Sequence, residues 1–184
     1  EEEGRPIPDE EVAGNLMLLL IGGTDTLPKV LANTFHRLYR NPAQRGRVVA
    51  DPALALDAFH EALRIDMPTQ YMVRSLLADT ERYGEKMKAG QPILLLYASA
   101  NRDEREFPDP DAFRIDRRPP RFLGFSHGTH ACLGLHAARA EARIGIEEFL
   151  ARFPHYQVLE DRIERFETEF AQGCAKMPIR LRGA

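Results

Sequence analysis

The sequence predicts a mainly helical α+β fold with small β-sheets, and three observations predict it. Apolar residues recur at steps of three and four over the first 40 residues, which indicates a long amphipathic helix. The same spacing returns at 133–152, where a second amphipathic helix is expected. Between these helices, the segments 71–77 and 92–97 are bounded by turn residues and have the composition of short strands.

Length and composition limit the possible function classes. The chain has 184 residues, of which 43% are hydrophobic, and this is enough for one domain with its own core. A net charge of −3 argues against nucleic acid as the main partner. The longest dense apolar run, 16–23, is far shorter than the roughly 20 residues of a membrane span, so no membrane partner is expected. Two cysteines, Cys132 and Cys174, make no disulfide framework, so we expect a cytoplasmic protein.

The first helix is expected to run from Asp9, its N-cap, to Arg40. At about 1.5 Å per residue it would be roughly 45 Å long, which predicts a central helix spanning the domain. Gly22, Gly23 and Pro28 lie inside it, although glycine and proline weaken the interior of a helix.

The remaining elements follow from proline and glycine signals, because a proline ends the preceding helix and is tolerated at the start of the next. In order, we expect a short helix from Pro42, a helix at 54–65, the two strands with Gly90 in the turn region between them, an irregular stretch at 107–120, the helix at 133–152, and short strands from Tyr156 to Leu181.

The segment richest in chemistry is the loop 125–134, which brings Cys132 to the start of a helix. Free backbone N–H groups and the helix dipole at such a place favour the thiolate over the thiol. A thiolate there acts as a nucleophile or a metal ligand. A cysteine without such a role is usually a small buried apolar residue.

The run Phe-x-x-Gly-x-x-x-Cys-x-Gly, formed here by Phe125, Gly128, Cys132 and Gly134, resembles the haem-ligand signature of the cytochrome P450 superfamily. The resemblance implies that Cys132 is the axial thiolate ligand of haem b, and that the other three residues belong to the cofactor-binding loop. His130 stands two residues before the cysteine, where many members have histidine, and is implied as a partner of a haem propionate.

Glu61 and Arg64 match the family's Glu-x-x-Arg motif. Three apart on a helix, the two side chains share a face, and an isolated pair of this kind is usually a solvated contact worth about 0.2–0.5 kcal/mol. The resemblance implies a larger structural network, because members add an arginine eight residues before the signature Phe, which is Arg117 here. It also implies that Arg74, on the first predicted strand, contacts a haem propionate.

Residues 22–26, Gly-Gly-Thr-Asp-Thr, resemble the family's oxygen-activation motif on the central helix. The glycines let a flat cofactor approach the backbone, so Gly22 is a cofactor-binding candidate. The Thr26 hydroxyl can bond the Gly22 carbonyl and open the helix locally. The resemblance implies that Thr26 and Asp25 are catalytic and supply protons. Members often have a second Thr or Ser next, but Leu27 stands there.

The resemblance implies a haem-thiolate monooxygenase that inserts one oxygen atom of dioxygen into a small hydrophobic substrate, with electrons from a ferredoxin-type donor. Arg139 and Arg143, four apart on the last helix, are candidates for docking an acidic donor. The mainly apolar candidates for the substrate pocket are Leu18, Leu19, 69–72 and 173–175.

The resemblance covers nearly all of this chain but only the C-terminal half of the family's fold. We therefore expect 1–184 to be a single partial domain, a fragment whose N-terminal half is absent. Its uncovered central helix would favour self-association, so a haem-free, inert fragment is an alternative to an active enzyme. Another alternative is a zinc-binding module, because four possible ligands lie within ten residues: His127, His130, Cys132 and His136.

Overall fold

The structure, a computed structural model, describes residues 4, 6–119 and 121–181. Its α-helices are α1 (Asp9–Arg40), α2 (Pro42–Ala50), α3 (Ala55–Ile65), α4 (Tyr97–Ala100) and α5 (Leu135–Arg152). Its strands are β1 (Met72–Ser75), β2 (Thr80–Arg82), β3 (Glu85–Met87), β4 (Pro92–Leu95), β5 (Gln157–Val158), β6 (Glu164–Glu167), β7 (Gln172–Lys176) and β8 (Ile179–Arg180). The predicted class, mainly helical with small sheets, is confirmed.

The described strands form two-stranded antiparallel sheets, which pair β1 with β4, β2 with β3, β5 with β8 and β6 with β7. In the first sheet the register places Met72 opposite Leu95 and Ser75 opposite Pro92. Both strands are shorter than the sequence predicts, and the second ends early because Tyr97 already begins α4. The last two sheets contain the strands that were expected in the tail.

The sequence does not predict the β2–β3 hairpin. Its strands, Thr-Glu-Arg and Glu-Lys-Met, are largely polar and therefore lack the alternation that marks a half-buried strand. Tyr83 and Gly84 join the strands with φ angles of 52° and 83°. Two successive left-handed residues are typical of the tight turn that matches the twist of a hairpin. The hairpin is therefore specified by its turn and not by a buried apolar face.

The first helix has the predicted end points, but its N-cap is Pro8 and not Asp9. The Pro8 carbonyl accepts the N–H groups of Glu11 and Val12, both at 3.0 Å, so Asp9 is already helical. The acidic side chains of the first turn still stabilise the helix through its dipole.

The core lies where the C-terminal half of α1 packs against α3 and α5. Eight of the 11 residues of α3 are buried, so this helix runs through the middle of the structure. Leu38 of α1, Phe59 of α3 and Ile146 of α5 belong to one apolar cluster, and each is at most 1% exposed. The Tyr156 hydroxyl donates to the Phe35 carbonyl at 2.6 Å and so ties the segment after α5 to α1.

The N-terminal half of α1 is exposed along residues 9–25. Six consecutive apolar residues, 16–21, are 53–69% exposed, and we call them the apolar ridge. Further along the helix, Val30, Thr34 and Leu38 are buried. In the described part of the chain, no helix combines the length and the apolar character needed to cross a bilayer.

We expect the 184-residue chain, produced alone, to self-associate through the apolar ridge, because a large exposed apolar area tends to be covered by association. Leu18→Glu, at a residue 69% exposed, should shift the mass measured by light scattering toward the monomer mass of 20.9 kDa. Leu77→Glu is the matched control, since Leu77 is 98% exposed but lies outside the ridge. A monomeric wild-type chain would contradict this expectation.

Candidate functional site

A buried carboxylate between two arginines links α3 to the chain that follows α4. Arg64 donates from Nε and Nη2 to Glu61 at 2.8 and 2.9 Å, and Arg117 donates from Nε to the same carboxylate at 3.1 Å. The side chains of Arg64, Glu61 and Arg117 are 0%, 2% and 8% exposed. The structure therefore brings the three expected network residues together in a site shielded from water.

This network also shapes a stretch of backbone. The Arg114 N–H donates to Glu61 Oε1 at 3.0 Å. The two guanidinium groups donate to nearby carbonyls within 2.8–3.0 Å, those of Asn101, Asp109 and Ala112. Residues 107–119 form neither helix nor strand, so they lack the regular backbone hydrogen bonds of those elements. The bonds to the network fix the path of this segment instead.

Asn101 extends the network toward the cysteine loop. Its backbone carbonyl accepts from Arg64, and its side-chain Oδ1 accepts the Leu123 N–H at 2.7 Å. Asn101 is itself fully buried. A second anchor lies nearby, where the Tyr97 and Ser126 hydroxyls are 2.9 Å apart. The entry to the loop is thus held by side chains from α4 and the residue after it.

Within the loop 125–134 the backbone turns back on itself, and the Cys132 N–H donates to the Phe125 carbonyl at 2.8 Å. Gly128 has a φ of 67°, a value that glycine adopts without strain. Gly134 flanks the sulfur, since a Cβ added there would lie 3.9 Å from Cys132 Sγ. Cys132 precedes α5, and its side chain is exposed, so the sulfur is accessible to a ligand.

An aromatic cluster lies beneath the start of the loop. The Phe125 ring lies 6.3 Å from Phe59, 6.4 Å from Phe122 and 6.2 Å from His60. Two of these partners belong to α3, the helix of the buried carboxylate. The first residue of the signature is therefore packed directly on the core.

His60 also receives a hydrogen bond, because Arg139 donates from Nε to His60 Nε2 at 3.1 Å. Burial, together with the positive charge of Arg139, lowers the pKa of His60 to about 4, so this imidazole is neutral at pH 7. Arg139 is partly buried and bonded to His60. This contact differs from the expected role of Arg139 in docking an acidic electron donor. Arg143 is half exposed and lies 3.4 Å from Glu147.

The glycine–threonine motif lies on α1. Thr26 Oγ1 donates to the Gly22 carbonyl at 2.9 Å, the bond that the sequence analysis expects. The helix stays continuous through this point and is not opened as expected. Added Cβ atoms at Gly22 and Gly23 would meet nothing within 4 Å, so the backbone is open to a ligand there. Pro28, within the same helix, supplies no N–H for an internal bond.

Lys29, which no motif in the sequence marks, lies beside Asp25 in the structure. Its Nζ contacts Asp25 Oδ1 and donates to the Asp25 backbone carbonyl at 3.2 Å. The signal available in the sequence is the spacing, because an acid and a lysine four residues apart share a helix face.

The two propionate candidates lie on separate elements. Arg74 stands on β1, opposite Ile93, and its Nη1 donates to the Val73 carbonyl at 2.8 Å. His130 is exposed in a 3₁₀ turn at Gly128–His130. Across residues 4, 6–119 and 121–181, no three His, Cys, Asp or Glu side chains converge as a metal-binding group, so the zinc alternative has no preformed ligand set there.

The residues present fit a haem. One accessible cysteine at the end of a glycine-containing loop is the donor that a haem iron takes as a thiolate ligand. The open backbone at Gly22 and Gly23 suits a flat ring. Further apolar surface is exposed on the apolar ridge and at Leu94, Leu95 and Leu133.

Comparison with known proteins gives a consistent result. The Cytochrome P450 family model matches residues 54–180. The chain is 39% identical, over 97% of its length, to the steroid C26-monooxygenase of Mycolicibacterium smegmatis, of which it covers 45%. It is 38% identical, over 94% of its length, to cytochrome P450 130 of Mycobacterium tuberculosis, of which it covers 44%. The chain thus spans about half the length of the curated relatives it matches.

Solved structures show the same similarity. CYP109E1 from Bacillus megaterium in complex with testosterone matches with a TM-score of 0.90 and 34% identity, over 98% of this chain and 51% of that chain. P450BioI in complex with an acyl carrier protein that carries hexadec-9Z-enoic acid matches with a TM-score of 0.90 and 32% identity, over 98% of this chain and 47% of that chain.

Removing the buried carboxylate should be severe. Glu61→Ala leaves Arg64 and Arg117 without their counter-charge, and breaking such a pair typically costs about 3–5 kcal/mol. We expect a loss of this size in the free energy of unfolding measured with urea, or no folded protein. Glu164→Ala is the control, because Glu164 is 63% exposed in its pair with Lys176 and should cost about 1 kcal/mol or less. Equal stabilities of the two variants would refute the assignment.

The low pKa of His60 predicts that stability depends on pH. The unfolded chain binds a proton at this histidine below about pH 6.5, whereas the folded chain does so only near pH 4. The free energy of unfolding should therefore fall by about 2–3 kcal/mol between these pH values. His60→Gln should remove that part of the pH dependence. His155→Gln, at an exposed histidine, is the control and should leave it unchanged. An identical pH slope in all three proteins would contradict the prediction.

Proposed function

This chain belongs to the cytochrome P450 family, and we propose that the whole protein is a haem-thiolate monooxygenase that inserts one oxygen atom from dioxygen into a hydrophobic organic substrate. The observation that carries the proposal is the loop 125–134. It presents an accessible Cys132, and its entry is anchored to the buried network through Asn101. A cysteine that served only packing would be buried, with no need of such an anchored loop.

We propose that the Cys132 thiolate holds haem b at its iron, with Phe125, Gly128 and Gly134 shaping the loop around the sulfur. Gly22 leaves room for the ring on α1, and Arg74 and His130 bind the propionates. When bound, a thiolate-ligated haem supplies the activation of dioxygen with two electrons and two protons. The protein supplies the orientation, the exclusion of water and the protons.

The Cys174 thiol does not suit the ligand role. It is half-buried on β7, and burial raises its pKa above the ordinary cysteine value. A ligand must be a thiolate, so a raised pKa works against binding. This contrast supports Cys132 as the ligand.

We propose that Asp25 and Thr26 supply protons. Thr26 keeps its own hydroxyl proton directed at the Gly22 carbonyl, so its oxygen remains free to accept from a water or a ligand. Asp25 is 52% exposed at its side chain, so it can exchange protons with solvent. Because the two residues are adjacent, the Asp25 carboxylate can take protons from water while the Thr26 hydroxyl orients the group that accepts those protons.

The proposed reaction also needs a substrate and an electron donor. Relatives named for steroid oxidation, and a structural neighbour with bound testosterone, support a hydrophobic substrate and make steroids the first ligands to test. We propose a ferredoxin-type donor with an acidic face, for which Arg143 is an exposed cation on α5. The two free cysteines support a location of the protein in the reducing cytoplasm. We also propose that 1–184 is one partial domain, which carries the haem-binding portion.

The test of the proposed function is the spectrum of the reduced full-length protein with carbon monoxide. We expect the red-shifted Soret band of thiolate ligation in the wild type and its loss in Cys132→Ala, because alanine leaves the iron without its sulfur donor. Cys174→Ala is the matched control and should keep the band. Retention of the band in Cys132→Ala would overturn the ligand assignment, and its absence from the wild type would overturn the proposed function.

A further inference from the structure

Lys29 is buried although it follows an exposed half-helix. The residue is 9% exposed, and its methylenes pack on the backbone of β7 at Gly173. A Cβ added at Gly173 would lie 2.8 Å from Lys29 Cγ and Cδ, which is closer than real Cβ contacts. The Phe166 ring, on the paired strand β6, lies 5.1 Å from Nζ. The β6–β7 hairpin therefore encloses the lysine stem and its charge.

A buried ammonium group needs a counter-charge, because an unpaired buried charge is strongly destabilising. That counter-charge is Asp25, one turn earlier, whose carboxylate contacts Lys29 Nζ. The two partners differ in exposure, since the Lys29 side chain is 11% exposed and the Asp25 side chain 52%. Lys29 is the fixed partner, and the position of the Asp25 carboxylate depends on it.

We propose that Lys29 is a positioning residue that holds the Asp25 carboxylate for proton supply, an inference that rests on the proposed function. The ammonium keeps one carboxylate oxygen on the face of α1 that packs against β7. Without it, the half-exposed carboxylate would sample several rotamers and spend less time where it passes protons on.

The contacts of Lys29 also connect Asp25 to the β6–β7 hairpin, which is expected to border the substrate. The β6–β7 hairpin has its tip at residues 168–171, where Ala171 bridges to Thr69 and the Phe170 ring lies 5.7 Å from Tyr71. Residues 69–72 and 173–175 are among the predicted pocket candidates, but Gly173 faces the lysine stem. A displacement of this hairpin would move Lys29, and with it Asp25.

The first experiment is a double-mutant cycle in the full-length haem protein. Lys29→Met keeps most of the buried stem but removes the charge. We expect it to lower the yield of product per electron pair by about tenfold, a part of the roughly 10²–10⁴ that a positioned proton donor contributes. In an Asp25→Asn background the same change should have no further effect. An unchanged yield in Lys29→Met, or an equal loss in both backgrounds, would overturn the proposal.

Two further variants separate positioning from folding. Gly173→Ala keeps every charge but pushes the Lys29 stem, so it should lower the yield in the same direction as Lys29→Met, without loss of haem. Lys176→Met, on the same hairpin, removes an exposed pair with Glu164 and should change nothing. A normal yield in Gly173→Ala, or a loss in Lys176→Met as large as that in Lys29→Met, would count against the proposal. If Lys29→Met does not fold, Gly173→Ala decides alone.

A chemical readout tests the pair without turnover. We expect reductive methylation of the full-length protein with formaldehyde and sodium cyanoborohydride to modify Lys29 far more slowly than Lys176, as measured by mass spectrometry. Asp25→Asn should speed modification of Lys29 and leave Lys176 unchanged. Equal rates at the two lysines in the wild type would overturn the proposal even if the carbon monoxide spectrum supports the haem. Slow modification of Lys29 without a thiolate spectrum would instead place the failure in the proposed function.

Discussion

The structure depends on the buried charge of Glu61. A carboxylate 2% exposed must be paired, and this one accepts from Arg64, Arg117 and the Arg114 N–H. Because a buried ion is costly unless its hydrogen bonds are complete, the network tolerates few arrangements of its donors. The position of α3 and the path of the irregular segment 107–119 are thereby coupled.

That coupling reaches the cysteine loop by short steps. Arg64 binds the Asn101 carbonyl, and the Asn101 side chain binds Leu123, two residues before the loop. The ring of Phe125 then packs on Phe59 of α3. Two separate interactions therefore connect the start of the loop to α3: the hydrogen bonds through Asn101 and the aromatic packing of Phe125. They fix the start of the loop that carries the exposed cysteine.

Local spacing made much of this predictable. The long helices α1 and α5 follow from apolar periodicity, the Thr26–Gly22 bond from a four-residue step, and the pairing of Glu61 with Arg64 from a three-residue step. Contacts between distant segments were not predictable in this way. Arg139 meets His60 across 79 residues, and Gly173 meets Lys29 across a longer separation. The polar β2–β3 hairpin was missed because its turn specifies it, without any apolar alternation.

Two ion pairs in this chain have different physical characters, although both join residues within one helical turn. In the pair Glu61–Arg64 both side chains are at most 2% exposed, so neither can move without leaving a buried charge unpaired. In the pair Asp25–Lys29 only the lysine is enclosed. The Asp25 carboxylate can exchange protons with water while it remains bound to Lys29, as the proposed proton supply requires. The asymmetry arises at Gly173, because only a residue without a Cβ lets the hairpin close over the lysine stem.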